Sequence, residues 1–223
     1  MITFPEHAKV GRIVAKERFY SGIDTATKNL FQNEIARIVW EYKLAPNTIN
    51  LPAKKWPEEI EVFRVSIKNS EVPEKVLKAI DSAIPYPILF LVEKGTIEKA
   101  IICHKSQNQK DQNSAKVDTY FDTGWNDDKL AGVKIDGLSI NAVYENFLRQ
   151  IAGDRLRPND DGASGGSTGT DGIGSAIDKM KERERLIKQI ESLTKKIKSE
   201  PSLGKKQELA TERYRLQSIL KTL

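Results

Sequence analysis

The chain is poor in the residues that build reactive or metal centres. Among 223 residues there is one cysteine, Cys103, and there are two histidines, His7 and His104. A lone cysteine excludes a disulfide framework, and with two histidines it cannot complete a common zinc site without a majority of carboxylates. Cys103 and His104 are adjacent, and strand neighbours point to opposite faces, so they do not form a nucleophile–base dyad. Long apolar runs are missing too. No stretch approaches the ~20 residues that span a bilayer, and charges interrupt the N-terminal segment, which lacks the apolar block of a secretory signal. A cytoplasmic protein without membrane contact is therefore expected.

A phosphate-binding loop is also missing, although glycine is locally abundant. Residues 161–175, DGASGGSTGTDGIGS, hold six of the fourteen glycines. A P-loop needs Lys-Ser/Thr after its glycines, yet no Lys or Arg occurs between Arg157 and Lys179. A dinucleotide fingerprint needs a preceding strand and G-x-G-x-x-G spacing, and neither is present. The composition is instead that of a flexible coil, and Pro158 to Gly174 should reach roughly 20–25 Å.

This run divides the charge. Residues 1–175 hold 23 Lys/Arg against 24 Asp/Glu, a balance of −1, and residues 176–223 hold 13 against 7, a balance of +6. The whole excess of +5 therefore lies beyond the glycines. Such a skew suits an acidic partner, nucleic acid first among them, while a solvated helix rich in lysine is the plain alternative.

The body reads as alternating elements. TATKNLFQNEIARIVWEYK, 25–43, spaces Leu30, Phe31, Ile35, Ile38, Val39 and Tyr42 as a helix, which Pro46 stops. TINLP reads as extended. EEIEVFRVSIK alternates as a strand, with Ile60, Val62 and Arg64 on one side and Glu61, Phe63 and Val65 on the other. VPEKVLKAIDSAI is a short helix with Pro73 near its first turn. PILFLVEKG and TIEKAIICHK form a hairpin about Gly95. VDTYFDTGW is a further strand, and NAVYENFLRQIAG is a helix stopped by Gly153. The tail places Leu186, Ile190, Leu193 and Ile197 on one seam, breaks at Pro201 and Gly204, and resumes with Leu209, Leu216, Leu220 and Leu223. Two antiparallel helices satisfy that pattern. The expected fold is α+β, a mixed α/β sheet with packed helices over 1–157. A Gly/Ser-rich linker over 158–175 and a basic helical hairpin or coiled coil over 176–223 follow.

Chemistry is harder to find. Asp118, Asp122, Asp127 and Asp128 flank YFDTGW and can bind Mg²⁺ only if the fold joins two of them. Glu34, with Glu59 or Glu61, can imitate a metal-dependent nuclease core, but no acid-x-Lys lies on a credible strand. Mg²⁺ is expected only under that alternative, and otherwise no cofactor. Trp40, Trp56 and Trp125 can stack bases, but Trp40 reads as core, and Trp56 and Trp125, which border loops, read as packing residues first.

EIARIVWEYKLAPNTINLP, EIEVFRVSIK, VLKAIDSAIPYPILFLVEKG and YFDTGW, in that order, resemble an uncharacterised prokaryotic family, domain-of-unknown-function family 4391. The resemblance covers most of the chain, including a Lys/Glu/Leu-rich coiled segment over 178–222, but not the glycine run. It implies an α/β body and no catalytic residue. Genes of the family often stand beside DNA methyltransferases and helicase-like restriction subunits, which implies an accessory role in DNA modification or phage defence. The expected function is thus a non-enzymatic accessory protein that docks on a larger helicase or methyltransferase subunit. Its phosphate-contact candidates are Lys179, Lys181, Arg183, Arg185, Lys188, Lys195, Lys196, Lys198, Lys205, Lys206, Arg213 and Arg215. A nuclease using Glu34 and Glu61, and a homodimeric scaffold joined through the hairpin, are the alternatives.

Overall fold

The computed structural model describes residues 2–108, 114–125, 130, 132–156 and 172–223. They fall into two compact units, Met1–Gly153 and Asp154–Leu223. The expected linker lies mostly outside the described residues.

The first unit is built on one sheet in the order β1-β2-β3-β4-β5-β6. The strands are β1 Lys9–Ile13, β2 Ile35–Leu44, β3 Ile60–Ile67, β4 Ile88–Lys94, β5 Ile97–Gln107 and β6 Ala115–Asp122. Only the β3–β4 pair is parallel; every other neighbour is antiparallel. That pair requires a crossover, which α3 (Glu74–Ala83) supplies. Where the chain can turn back at once it does so, with Gly95 at φ +59° between β4 and β5.

Three longer helices pack on this sheet. α1 (Thr25–Glu34) starts where Asp24 accepts a hydrogen bond from the Thr27 amide at 2.7 Å. Phe31 of α1 and Val76, Leu77 and Ile80 of α3 join Ile38, Phe63, Val65, Phe90 and Val92 of the sheet in one core. The intervening strand residues, among them Val62, Leu89, Leu91, Ala100 and Ile102, are buried as well. Both faces are therefore covered, which is why β4 opens on the continuous apolar run Ile88–Val92. α4 (Ile140–Ala152) packs on β5 and β6 and is capped by Ser139. Its Tyr144 hydroxyl donates to Cys103 O at 2.8 Å and accepts from Lys105 N at 2.7 Å.

The sheet is also tied to α3 by a buried ion pair. Lys105 of β5 and Asp81 of α3 are both without side-chain exposure and stand 2.8 Å apart. The ammonium also donates to the carbonyls of Asp81, Ile84 and Tyr86 at 2.8–2.9 Å. Tyr120 of β6 donates to the other carboxylate oxygen at 2.6 Å.

Two expectations are corrected. The helix read over 25–43 ends at Glu34, and residues 35–44 are β2. Ile35, Ile38, Val39, Trp40 and Tyr42 are β-branched or aromatic, and pairing with β1 and β3 outweighs their helix-like spacing. The TINLP segment is not wholly extended either. Thr48 and Ile49 belong to α2 (Pro46–Ile49), a single turn held by Thr48 Oγ1 accepting from Ala45 N at 2.8 Å. β1 has no counterpart in the sequence reading, and all five of its residues are exposed.

The second unit contains α5 (Ile173–Ser199) and α6 (Leu203–Thr222), packed as the expected hairpin. α5 begins three residues before the expected start of the tail at 176. Leu186 is buried, and Ile190, Leu193, Ile197, Leu209, Leu216 and Leu220 are partly buried, so the seam forms with no fully buried residue on α6. Among the described residues, no helix is long and apolar enough to cross a membrane.

Candidate functional site

The charged residues of α5 sort by helical face. Counting from Lys181 in steps of four and three gives Lys181, Arg185, Lys188, Ser192, Lys195 and Ser199. At ~100° per residue this stripe lies nearly opposite the seam of Leu186, Ile190, Leu193 and Ile197. It contains cations and serines and no acid, over about 27 Å of helix. From Arg185 onward every member of the stripe is exposed, as is Lys196 beside it. Of the other expected phosphate contacts, Lys179, Lys198, Lys205, Lys206 and Arg215 are also exposed, whereas Lys181, Arg183 and Arg213 are partly buried. Arg185 pairs with Glu182 at 2.8 Å and Arg215 with Glu212 at 3.5 Å, both one helical turn away on exposed surface. Such pairs contribute little and yield to a stronger anion. On α6 the cations are spread around the helix, so α5 carries the coherent face.

In the body, the N-terminal end of β3 lines a cleft of about 470 Å³. Phe19, Trp40, Phe63 and Ile84 give it apolar and aromatic walls, and Glu59, Glu61 and Tyr86 give it polar groups. Trp40 Nε1 donates to Glu61 Oε2 at 2.6 Å. Glu59 lies within hydrogen-bonding reach of Glu61 and takes Lys43 Nζ at 2.5 Å. Burial, reinforced by the charge of Glu59, pushes the Glu61 carboxyl up to about 7, although the Trp40 hydrogen bond and Lys43 pull it down. The pair therefore favours the protonated form of Glu61 far more than an exposed carboxyl would. Burial works against the Lys43 ammonium, but Glu59 and Glu61 outweigh it and raise its pKa.

Glu34 and Glu61 are not brought together. The Lys68 amide donates to Glu34 O and Asn69 Nδ2 to the Glu34 carboxylate, so Glu34 sits past the C-terminal end of β3. Glu61 occupies the strand's N-terminal end, opposite Lys43. Ile67 lies six residue steps along the strand from Glu61, roughly 20 Å. Asp118 and Asp122 lie four residues apart along β6; Asp118 meets His104 at 3.2 Å and Asp122 accepts from Gly124 N. Asp127 and Asp128 fall outside the described residues. Among the described residues, no group of three or more His, Cys, Asp or Glu is arranged to hold a metal ion.

The remaining candidates have structural surroundings. Cys103 Sγ donates to its neighbour's carbonyl, and burial pushes its thiol up to about 12, far from a reactive thiolate. His7 is exposed in the turn Glu6–Ala8. Trp56 packs edge-on to Tyr144, and Trp125 donates to Glu71 at 2.6 Å with Lys99 4.7 Å from its ring centre. Trp40 is neither on a helix nor fully buried: it stands on β2 and lines the cleft.

The model of the family described as domain of unknown function (DUF4391) matches residues 2–222, and the chain belongs to that family. No curated protein and no solved structure matches.

Proposed function

We propose that this DUF4391 member is a non-enzymatic accessory protein of a DNA-modification, restriction or anti-phage system. In this reading its body docks on a larger helicase or methyltransferase subunit, and its hairpin grips nucleic-acid backbone. The observation that carries the DNA contact is the α5 stripe Lys181-Arg185-Lys188-Ser192-Lys195-Ser199. It is straight, acid-free and opposite the apolar seam, so the seam can pack while the stripe meets phosphates. Lysine and arginine neutralise phosphates and release counterions, and serine hydroxyls hydrogen-bond phosphate oxygens. Contacts of this kind are nearly blind to base sequence. The assignment to a defence or modification system rests on the gene neighbourhood of the family.

The test is DNA affinity across a salt series for the full chain and for residues 1–156. The expected result is a steep loss of affinity with salt for the full chain and no binding by the shorter one. A flat salt response, or full binding by residues 1–156, removes the hairpin from the mechanism.

A second reading is a homodimeric scaffold, favoured by Ile187, Tyr214 and Ile219, which stay exposed on the hairpin. Light scattering distinguishes it: a dimer that dissociates on loss of residues 172–223, without any DNA affinity to lose, supports the scaffold.

A further inference from the structure

The cleft at the head of β3 has the size of a ligand site and holds a buried carboxyl beside a second one. Its volume of about 470 Å³ is inside the range of roughly 300–1,000 Å³ found for small-molecule sites. Glu61 is only 5% exposed; its carboxyl takes a hydrogen bond from Trp40 at Oε2 and lies within hydrogen-bonding reach of Glu59, and among the described residues no ammonium is paired with it. The nearest ammonium, Lys43, is taken by Glu59. Arg18 also lines the cleft, and its side chain is exposed. Glu61 thus shares the cleft with a second carboxyl, Glu59, and with the rings of Trp40 and Phe63, while the ammonium of Lys43 lies against Glu59.

The geometry points to a binding site for an organic cation, an ammonium or guanidinium on a short apolar stem, with its head on Glu61 and Glu59 and its stem against Trp40, Phe63 and Ile84. A buried carboxylate without a cation is costly, and a cation that also lies against an aromatic face gains from the ring quadrupole. An anion meets repulsion from both carboxyls. A neutral apolar guest desolvates them without replacing what water supplied.

The same arrangement couples binding to protons. At pH 6 Glu61 is mostly protonated, and an incoming cation must displace that proton. The groups facing it are Glu59 ahead of β3, Lys43 and Trp40 on β2, Arg18 in the turn Lys16–Phe19, and Tyr86 ahead of β4. Lys43 and Tyr86 are both held above their ordinary values, so neither changes charge between pH 6 and 8. The cation can be a free small molecule or an arginine or lysine side chain of another polypeptide, since both present the same head group.

Calorimetric titration of the full chain tests this with n-butylguanidinium, its uncharged isostere n-butylurea, and a capped Gly-Gly-Arg-Gly-Gly peptide. The guanidinium binds and the urea does not, and affinity rises about tenfold from pH 6 to 8. Glu61→Gln lowers affinity at pH 8 by about tenfold or more and abolishes the pH dependence. Ala83→Trp, at an exposed position on the cleft's wall, blocks binding without touching either carboxyl, and it serves if the Gln variant does not fold. Peptide binding tighter than the free guanidinium identifies a polypeptide side chain as the source, and weaker peptide binding identifies a free small cation. Equal binding of urea and guanidinium, no binding of either cationic probe, a pH-independent affinity, or unchanged affinity in Ala83→Trp overturns the proposal.

Discussion

Glu61 and Lys105 show how differently a buried charge behaves with and without a full set of partners. Glu61 has its folded pKa raised above the ordinary carboxyl value of 4.5 to about 7. Between those values the unfolded chain has already released the proton while the folded chain still holds it. Ionisation therefore favours unfolding, and the stability due to this group declines as pH rises to about 7 and is level beyond. Glu61→Gln removes the titration. Its stability relative to the parent should accordingly improve by on the order of 3 kcal/mol from pH 4.5 to above 7, measured by urea denaturation across pH. Lys105 is the opposite case, with Asp81 and three carbonyls around its ammonium. Lys105→Met leaves the Asp81 carboxylate buried beside Tyr120 without its cation. The expected loss is about 3–5 kcal/mol in urea denaturation, and adding Asp81→Asn should restore part of it. Neither residue announces this in the sequence: Lys105 sits in the apolar strand IICHK, and the residue that makes it tolerable lies 24 positions earlier on another element.

At the scale of elements, the strong periodic signals were readable and the competing ones were not. β3, the β4–β5 hairpin, α3, α4 and the tail hairpin follow from alternation, helical spacing and their Gly and Pro stops. The 25–43 segment carries two signals at once. Its first ten residues are helical in fact, whereas Ile35 to Leu44 take the strand that β1 and β3 offer them. β1 itself, KVGRI, is an edge strand with no buried residue and so leaves no alternation to read. The cleft was invisible because Phe19, Trp40, Glu61 and Ile84 come from the turn Lys16–Phe19, β2, β3 and the residue after α3, which are distant in sequence and meet only in the fold. The α5 stripe, by contrast, was legible as a count of cations, and the helix sorts them into a face. Lys188→Ser with Lys195→Ser on that face should lower the slope of log affinity against log salt by about two, with little dependence on DNA sequence. The pair Lys205→Ser and Lys206→Ser, off the stripe on α6, should change the slope less.

For the whole molecule, the division of charge is sharper than the division of structure. A body of near-neutral balance and a tail of +6 are joined through residues whose composition is Gly and Ser rich. If the hairpin alone grips DNA, the spacing between the two units is irrelevant to that grip, and the body needs only to remain attached. If body and hairpin instead form one continuous DNA surface, a longer connection must weaken binding by loosening the registration of the two halves. Doubling the length of a flexible segment costs an intramolecular contact only about 0.6 kcal/mol, roughly threefold, so a single insertion decides weakly but a series decides well. Duplicating and then triplicating residues 158–171 should leave the DNA affinity of the full chain within about twofold at fixed salt, with an unchanged salt slope. A progressive loss along the series, carried in affinity and not in slope, would assign part of the DNA surface to the body and make the glycine run a spacer of defined length.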